Sequence, residues 1–192
     1  MIDALVIVAH PDDETLWMGG YILENQEWEW HILSLCRSMD ADRAPKFKKV
    51  CAELGAQCKI TDLDDEHLQP LEINEVIQKI KSNIPKQSFD YIFTHGENGE
   101  YGHLRHKEIH LAVKKMIETK KIKCKNLCYF SYDIKGNAFN KGTNANVIVP
   151  MTNNLKSQKK RLIQEVYGFR EGIFESNLCD MTQEAFYFQE LA

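Results

Sequence analysis

Five short apolar runs, each separated from the next by a stretch of helical periodicity, leave this chain little choice of architecture. Leu5 to Ala9 is continuous and rich in β-branched residues, the composition of a strand buried on both faces. His31 to Cys36, Gln57 to Thr61, Phe89 to His95 and Leu127 to Tyr132 repeat it. Between them the spacing predicts a helix from about Glu14 to Asn25 and another from Lys46 to Leu54, stopped by Gly55. Leu71, Ile73, Val76, Ile77, Ile80 and Ile84 recur at helical intervals until Pro85, and a further helix runs from about His103 to Lys120. Strands alternating with helices imply a mostly parallel central sheet covered on both faces, with right-handed crossovers. The C-terminal third is less regular. Val147 to Val149 reads as a strand, Asn153 to Phe169 as a helix and Glu184 to Gln189 as a final strand or edge. No repeat, low-complexity segment or linker interrupts the 192 residues, so a single domain over 1–192 is expected.

In open sheets of this kind, ligands bind beyond the carboxyl ends of the strands, where the strand order reverses. In the order 3-2-1-4-5 the first and fourth strands are neighbours at that point, and the loops after both are unusual. The first reads Ala9-His10-Pro11-Asp12-Asp13-Glu14. A nucleotide-binding turn would be glycine-rich here, so that backbone N–H groups could cradle phosphate. Three successive carboxylates would repel that anion and suit a cation. A helix N-terminus favours acidic residues and accounts for one or two of them, but not for the histidine and proline in front.

The second loop, His95-Gly96-Glu97-Asn98-Gly99-Glu100-Tyr101-Gly102-His103-Leu104-Arg105-His106, turns tightly and delivers two histidines three apart. The apolar stripe of the following helix runs through Ile109, Val113, Met116 and Ile117. His106 falls on that stripe one turn earlier and faces inward, His103 lies at its margin, and His110 reads as a structural residue further from the sheet edge. Two imidazoles and a carboxylate from separate loops, with a position left open for water, form the pattern of a catalytic zinc site. The same donors serve non-haem iron, so Zn2+ is expected with Fe2+ as the alternative. Spacing does not say which of Asp12 and Asp13 is ligand and which is base.

Composition narrows the partners. The net charge of -4 carries no basic stripe of the kind nucleic acid requires, and Lys114, Lys115, Lys120, Lys121 and Lys123 form a solvated face around one helix and its exit. The N-terminus, Met-Ile-Asp-Ala-Leu-Val-Ile-Val, has no basic leader, and no apolar run approaches the roughly 20 residues of a membrane span. Six cysteines without a framework spacing read as free thiols of a reduced cytoplasm, and Cys124 with Cys128 lacks the second pair of a metal knuckle.

At these loops the sequence resembles the PIG-L/LmbE family of metal-dependent N-acetylglucosaminyl deacetylases. Ala9-His10-Pro11-Asp12-Asp13-Glu14 resembles its N-terminal signature, Gly19-Gly20 the small pair that follows, and Gly102-His103-Leu104-Arg105-His106 its second motif. Arg43 and Leu54-Gly55 are similar to the arginine and the Leu-Gly of the intervening family helix, and the likeness extends over about the first 115 residues. The resemblance implies a Rossmann-like three-layer sandwich. It implies that His10, Asp13 and His106 bind the metal and that Asp12 is the general base. His103 would stabilise the oxyanion or protonate the leaving amine, and Arg43 would contact the substrate. It also implies a small-molecule N-acetylated sugar conjugate as substrate; a homo-oligomer is compatible with the sequence. Where the family carries Asp or Asn between the two histidines, this chain has Arg105. Arg105 is expected to lower the pKa of His103 and weaken it as an acid, or instead to point toward the substrate or pair with Glu97 or Glu100. The alternatives are a metal-dependent amidase on a non-sugar substrate and a non-catalytic carbohydrate-binding module. Such a module would be expected to lose a ligand or the base, and none of His10, Asp12, Asp13, His103 and His106 is missing. An iron-dependent oxygenase fits the ligands but not a parallel α/β sheet. Specificity is expected to reside in the Ser38–Ala44 and Gly136–Asn146 loops.

Overall fold

The computed structural model describes residues 1–135 and 138–191. Each apolar run becomes a strand: β1 (Asp3–Val8), β2 (Glu29–Cys36), β3 (Gln57–Leu63), β4 (Ser88–Thr94) and β5 (Lys123–Phe130). They pair in parallel in the order β3-β2-β1-β4-β5. A hairpin follows, β6 (Tyr132–Lys135) with β7 (Ala138–Lys141). β8 (Val147–Pro150) and β9 (Gln183–Glu190) then complete a seven-stranded sheet, β9 antiparallel to β5 and β8 antiparallel to β9. The expected specificity loop at Gly136–Asn146 therefore contains a strand, with Gly136 and Asn137 outside the described residues.

The helices are α1 (Asp13–Glu24), α2 (Arg43–Glu53), α3 (Ile73–Lys81), the single turn α4 (Gly99–Gly102), α5 (Leu104–Glu118), α6 (Asn153–Arg161) and α7 (Phe174–Leu178). Apolar residues buried on the two sheet faces form two cores. Phe47, Val50 and Leu162 join one, with α1, α2 and the segment after α6; Val76, Ile80, Ile109 and Val113 join the other, with α3 and α5. The result is a three-layer α/β sandwich. The expected Asn153–Phe169 helix divides: α6 passes into a π-helical turn at Leu162–Val166 and ends before Gly168, whose φ is 81°. No helix among the described residues is long and apolar enough to cross a membrane.

Helix α1 is broken in its middle. Met18 leaves the helical region (φ -149°, ψ 15°), so backbone groups on either side lose their intrahelical partners. Glu184 of β9 accepts hydrogen bonds from the N–H groups of Gly20 and Tyr21 at 2.9 and 2.8 Å. Lys159 of α6 donates to the Leu16 carbonyl at 2.7 Å and to Glu184 at 2.8 Å. Both side chains are almost fully buried, so every proton and lone pair they use is set against this kink. Breaking a buried pair leaves an uncompensated charge and typically costs about 3–5 kcal/mol. Glu184→Leu is therefore expected to destabilise the fold by about 3 kcal/mol or more. Glu184→Gln, which keeps one acceptor oxygen for a backbone amide and for Lys159, should cost less. Urea denaturation of the two variants checks the order, and equal losses would show that the kink does not depend on the carboxylate.

Candidate metal centre

The carboxyl ends of β1 and β4 lie side by side, and their two loops meet. In the first, Asp12 adopts φ 121°, a left-handed conformation that a non-glycine residue holds only when its surroundings enforce it. The turn sends three successive carboxylates in three directions. Asp13 faces the β4 loop. Asp12 faces Arg43, whose Nη1 donates to its Oδ2 at 2.6 Å. Glu14 turns into the protein, where Tyr167 and Thr15 donate to its Oε1 at 2.8 and 2.6 Å and burial raises its carboxyl to about 6. Glu14 is thus structural, as a helix-start acid would be.

In the second loop Gly96 is required by space, since a Cβ there would meet the Phe130 carbonyl oxygen at 2.4 Å. That close approach draws the loop over β5 and brings Glu100 beneath two imidazoles. Its Oε2 accepts from His106 Nδ1 at 2.5 Å and from His95 Nδ1 at 2.8 Å, while Oε1 takes the Gly96 N–H at 2.7 Å. Burial by itself would raise the Glu100 carboxyl, but the imidazoles outweigh it and hold the group at about 2.

These bonds determine which nitrogen of each ring carries a lone pair. His106 donates from Nδ1, which leaves Nε2 free. His10 places Nε2 3.0 Å from Asp65 Oδ1, a carboxylate that can only accept, so Nδ1 is the nitrogen left to face Asp13 and His106. Both free nitrogens converge on Asp13 Oδ2: His10 Nδ1 lies 3.3 Å from it, His106 Nε2 3.5 Å from it, and the two nitrogens are 3.3 Å apart. Donors held tetrahedrally at about 2.0–2.2 Å from one zinc ion would stand about 3.3–3.6 Å apart, so the three atoms fit one face of such a tetrahedron. Asp13 is itself held by Trp17 Nε1, which donates to Oδ1 at 2.9 Å, and by the His10 backbone N–H. His95 also approaches Asp13 Oδ2, at 3.5 Å, but the Ala9 N–H donates to its Nε2 at 2.9 Å. Its lone pair is spent, and His95 is a support rather than a fourth ligand.

His103 precedes α5 in extended conformation, with its ring centroid 4.7 Å from those of both His10 and His106. Its Nδ1 is buried without a hydrogen-bond partner. Burial, followed by the charges of His106 and His10, lowers its pKa to about 4. A cleft of about 180 Å³ opens over the cluster, walled by Trp17, Arg43, Tyr101, His103 and Phe174.

The sequence pattern described as PIG-L, GlcNAc-PI de-N-acetylase, matches residues 5–117. The chain belongs to the PIG-L family. It is 26% identical over 146 residues to the uncharacterized protein L374 of Acanthamoeba polyphaga mimivirus, and the match covers 68% of this chain and 62% of that one. The fold is similar to that of the conserved protein TT1542 from Thermus thermophilus, with a TM-score of 0.70 at 15% identity, over 97% of this chain and 94% of the other. It is similar also to a deacetylase triple mutant of the teicoplanin biosynthetic pathway, with a TM-score of 0.67 at 13% identity over 98% of each chain.

Of the residues singled out in the sequence, His10, Asp12, Asp13 and His103 line the cleft, and His106 lies buried behind them against His10. Arg43 joins them, clasped to Asp12 and lying over the Phe169 ring at 4.3 Å. Arg105 does not. Fully buried, it turns away from the cleft and from Glu97 and Glu100. It donates to Gln69 O at 2.9 Å, Asp64 Oδ2 at 3.0 Å and Glu108 Oε2 at 2.7 Å, and its Nε bonds the Asp64 carbonyl. The reason is local. The stretch between β3 and α3 has backbone carbonyls to satisfy, and a guanidinium with five donors on the facing side of α5 satisfies them. Arg105 is therefore a clamp on this stretch and not a substrate contact.

That stretch carries Asp65, the partner of His10 Nε2, which Arg37 also engages at 2.7 Å. Partners that orient ligating histidines typically contribute about 10–100-fold to metal affinity. Asp65→Asn is expected to weaken zinc binding by about that factor. Arg105→Gln should do so by about tenfold, through the loosened loop. Chelator competition measures both, and an Arg105 variant with unaltered affinity would show that the clamp does not reach His10.

Proposed function

We propose that this chain is a zinc-dependent hydrolase that removes the acetyl group from an N-acetylglucosamine-type amino-sugar conjugate. The observation that carries the reading is the convergence of His10 Nδ1, Asp13 Oδ2 and His106 Nε2 within 3.3–3.5 Å of one another, with Asp12 alongside. A zinc ion in such a site supplies Lewis acidity, which activates water and polarises a carbonyl. The remaining work of amide hydrolysis falls to the side chains.

Asp12 receives the proton of the attacking water. Burial and then the Asp13 charge raise its carboxyl well above the usual range, against the pull of Arg43 and His10. A carboxylate tuned upward takes a proton more readily near neutral pH and can return it to a leaving amine. Arg43 fixes the orientation of Asp12 while its exposed edge faces the cleft. His103, neutral at working pH, donates an N–H to the oxyanion instead of acting as an acid. Tyr101 and Phe174, part exposed at the lip, offer aromatic faces to a sugar ring. The cleft is of a size to take the acetamide end of a small-molecule conjugate, and a cytoplasmic setting accords with the six free cysteines.

The direct test is release of primary amine from a panel of N-acetylglucosamine conjugates by zinc-reconstituted protein. His10→Ala and His106→Ala should each lose most of the bound zinc. Asp12→Asn should keep the zinc and lose turnover by about 10²-fold or more. Zinc content preserved in both histidine variants would overturn the ligand assignment.

His103→Ala should lower kcat by about 10²–10³, the usual cost of an oxyanion donor. Because its imidazole loses its proton near pH 4, well below the working range, the pH–rate profile of this variant should keep its limbs between about pH 6 and 8. Disappearance of a limb in that window would instead make His103 the acid.

A further inference from the structure

At the opposite end of the sheet, a second set of donors converges that this reaction does not use. β1 and β2 pair in parallel with Asp3 beside Glu29 and Leu5 beside His31. Side chains two apart on a strand share a face, so Asp3, Glu29 and His31 project together. Two carboxylates on adjacent positions repel; Lys86 Nζ bonds Asp3 Oδ2, whereas Glu29 Oε1 has only the Gln57 amide, at 3.5 Å. Asp3 Oδ1 and His31 Nε2 are both buried and have no hydrogen-bond partner. The His31 side chain is only 8% exposed, so the unpaired nitrogen is withheld from bulk water as well. A buried polar atom left unsatisfied costs about 1–3 kcal/mol, and two pointing at one place call for an occupant.

We propose that Asp3 Oδ1, Glu29 Oε1 and His31 Nε2 bind a second divalent cation of the zinc type. His31 Nε2 lies 3.4 Å from Asp3 Oδ1 and 3.6 Å from Glu29 Oε1, the separations expected of tetrahedral donors around one zinc ion. The imidazole selects against calcium and magnesium, which take oxygen donors. Charge agrees: two carboxylates and one ammonium leave the cluster net negative. Asp3 and Glu29 begin β1 and β2, whereas His10 and Asp13 lie beyond the other end of β1. Roughly 20 Å of strand thus separates the two centres, and the second is a clip on the first residues of the sheet rather than part of the cleft.

The chain, stripped by chelator and titrated with zinc alone, should bind about two ions where the cleft accounts for one. His31→Gln and Glu29→Gln should each remove one and leave turnover of the cleft unchanged. Glu29 is 42% exposed, so its variant is expected to fold normally even if that of His31 is not. In a His106→Ala background, one site should remain and Glu29→Gln should abolish it. Unchanged zinc stoichiometry in Glu29→Gln, in either background, would overturn the proposal. Loss of an ion in Glu29→Gln with none lost in His106→Ala would support this site and count against the catalytic one.

Discussion

The Glu100 carboxylate, buried under two imidazoles, sets the geometry of everything above it. By accepting from His106 Nδ1 it turns the lone pair of Nε2 toward Asp13, and by accepting from His95 Nδ1 it lets His95 receive the Ala9 N–H. One anion therefore ties the end of β4 to the end of β1 and chooses a tautomer on each ring. Glu100 itself has φ 58°, so the backbone holds a strained turn to deliver it. Opposite, Asp65 performs the same service for His10 from the end of β3. Three strand ends thus contribute the orienting carboxylates and the candidate ligands, and the sheet order fixes their separation.

Much of this was legible in the sequence. The five parallel strands follow from their apolar runs, and the strand order follows from topology, which singled out the loops after β1 and β4 before any side chain was placed. What stayed hidden depends on contacts between residues far apart in the chain. Glu100 reads as one more polar residue in a glycine-rich loop until Gly96 packs on Phe130 and fixes its direction. Asp65 belongs to an acidic run at the end of β3, and nothing local distinguishes it from its neighbours. Arg105 misled for the opposite reason. Its place between two histidines suggested a role in the cleft, yet helical periodicity carries it around α5 to the β3–α3 connection. The break at Met18 sits beside Gly19 and Gly20, which are weak helix formers, but the groups that hold it, Lys159 and Glu184, lie far away in the chain.

The two kinds of buried ionic group in this protein carry different burdens. Lys159 and Glu184 neutralise one another and spend their remaining hydrogen-bonding capacity on a broken helix, so their net charge is nil and their task is shape. Around the cleft the balance is unequal: Asp12, Asp13, Asp65 and Glu100 outnumber Arg37 and Arg43. An unequal set of buried charges tends to draw in a cation from solution, whether a proton or a metal ion.

The reach of Glu184 has a bearing on how the molecule is made. The candidate ligands and catalytic groups lie between positions 10 and 106, and would leave a ribosome long before β9 does. Yet the helix that bears Asp13 and Trp17 takes its bent form only when a side chain 164 residues downstream of Gly20 is in place. Contacts of such sequence separation form late, after local helices and hairpins. The nascent chain consequently passes through a period in which its histidines and aspartates are all present but not yet in register. The finished cleft thus depends on β9 standing in its place between β5 and β8.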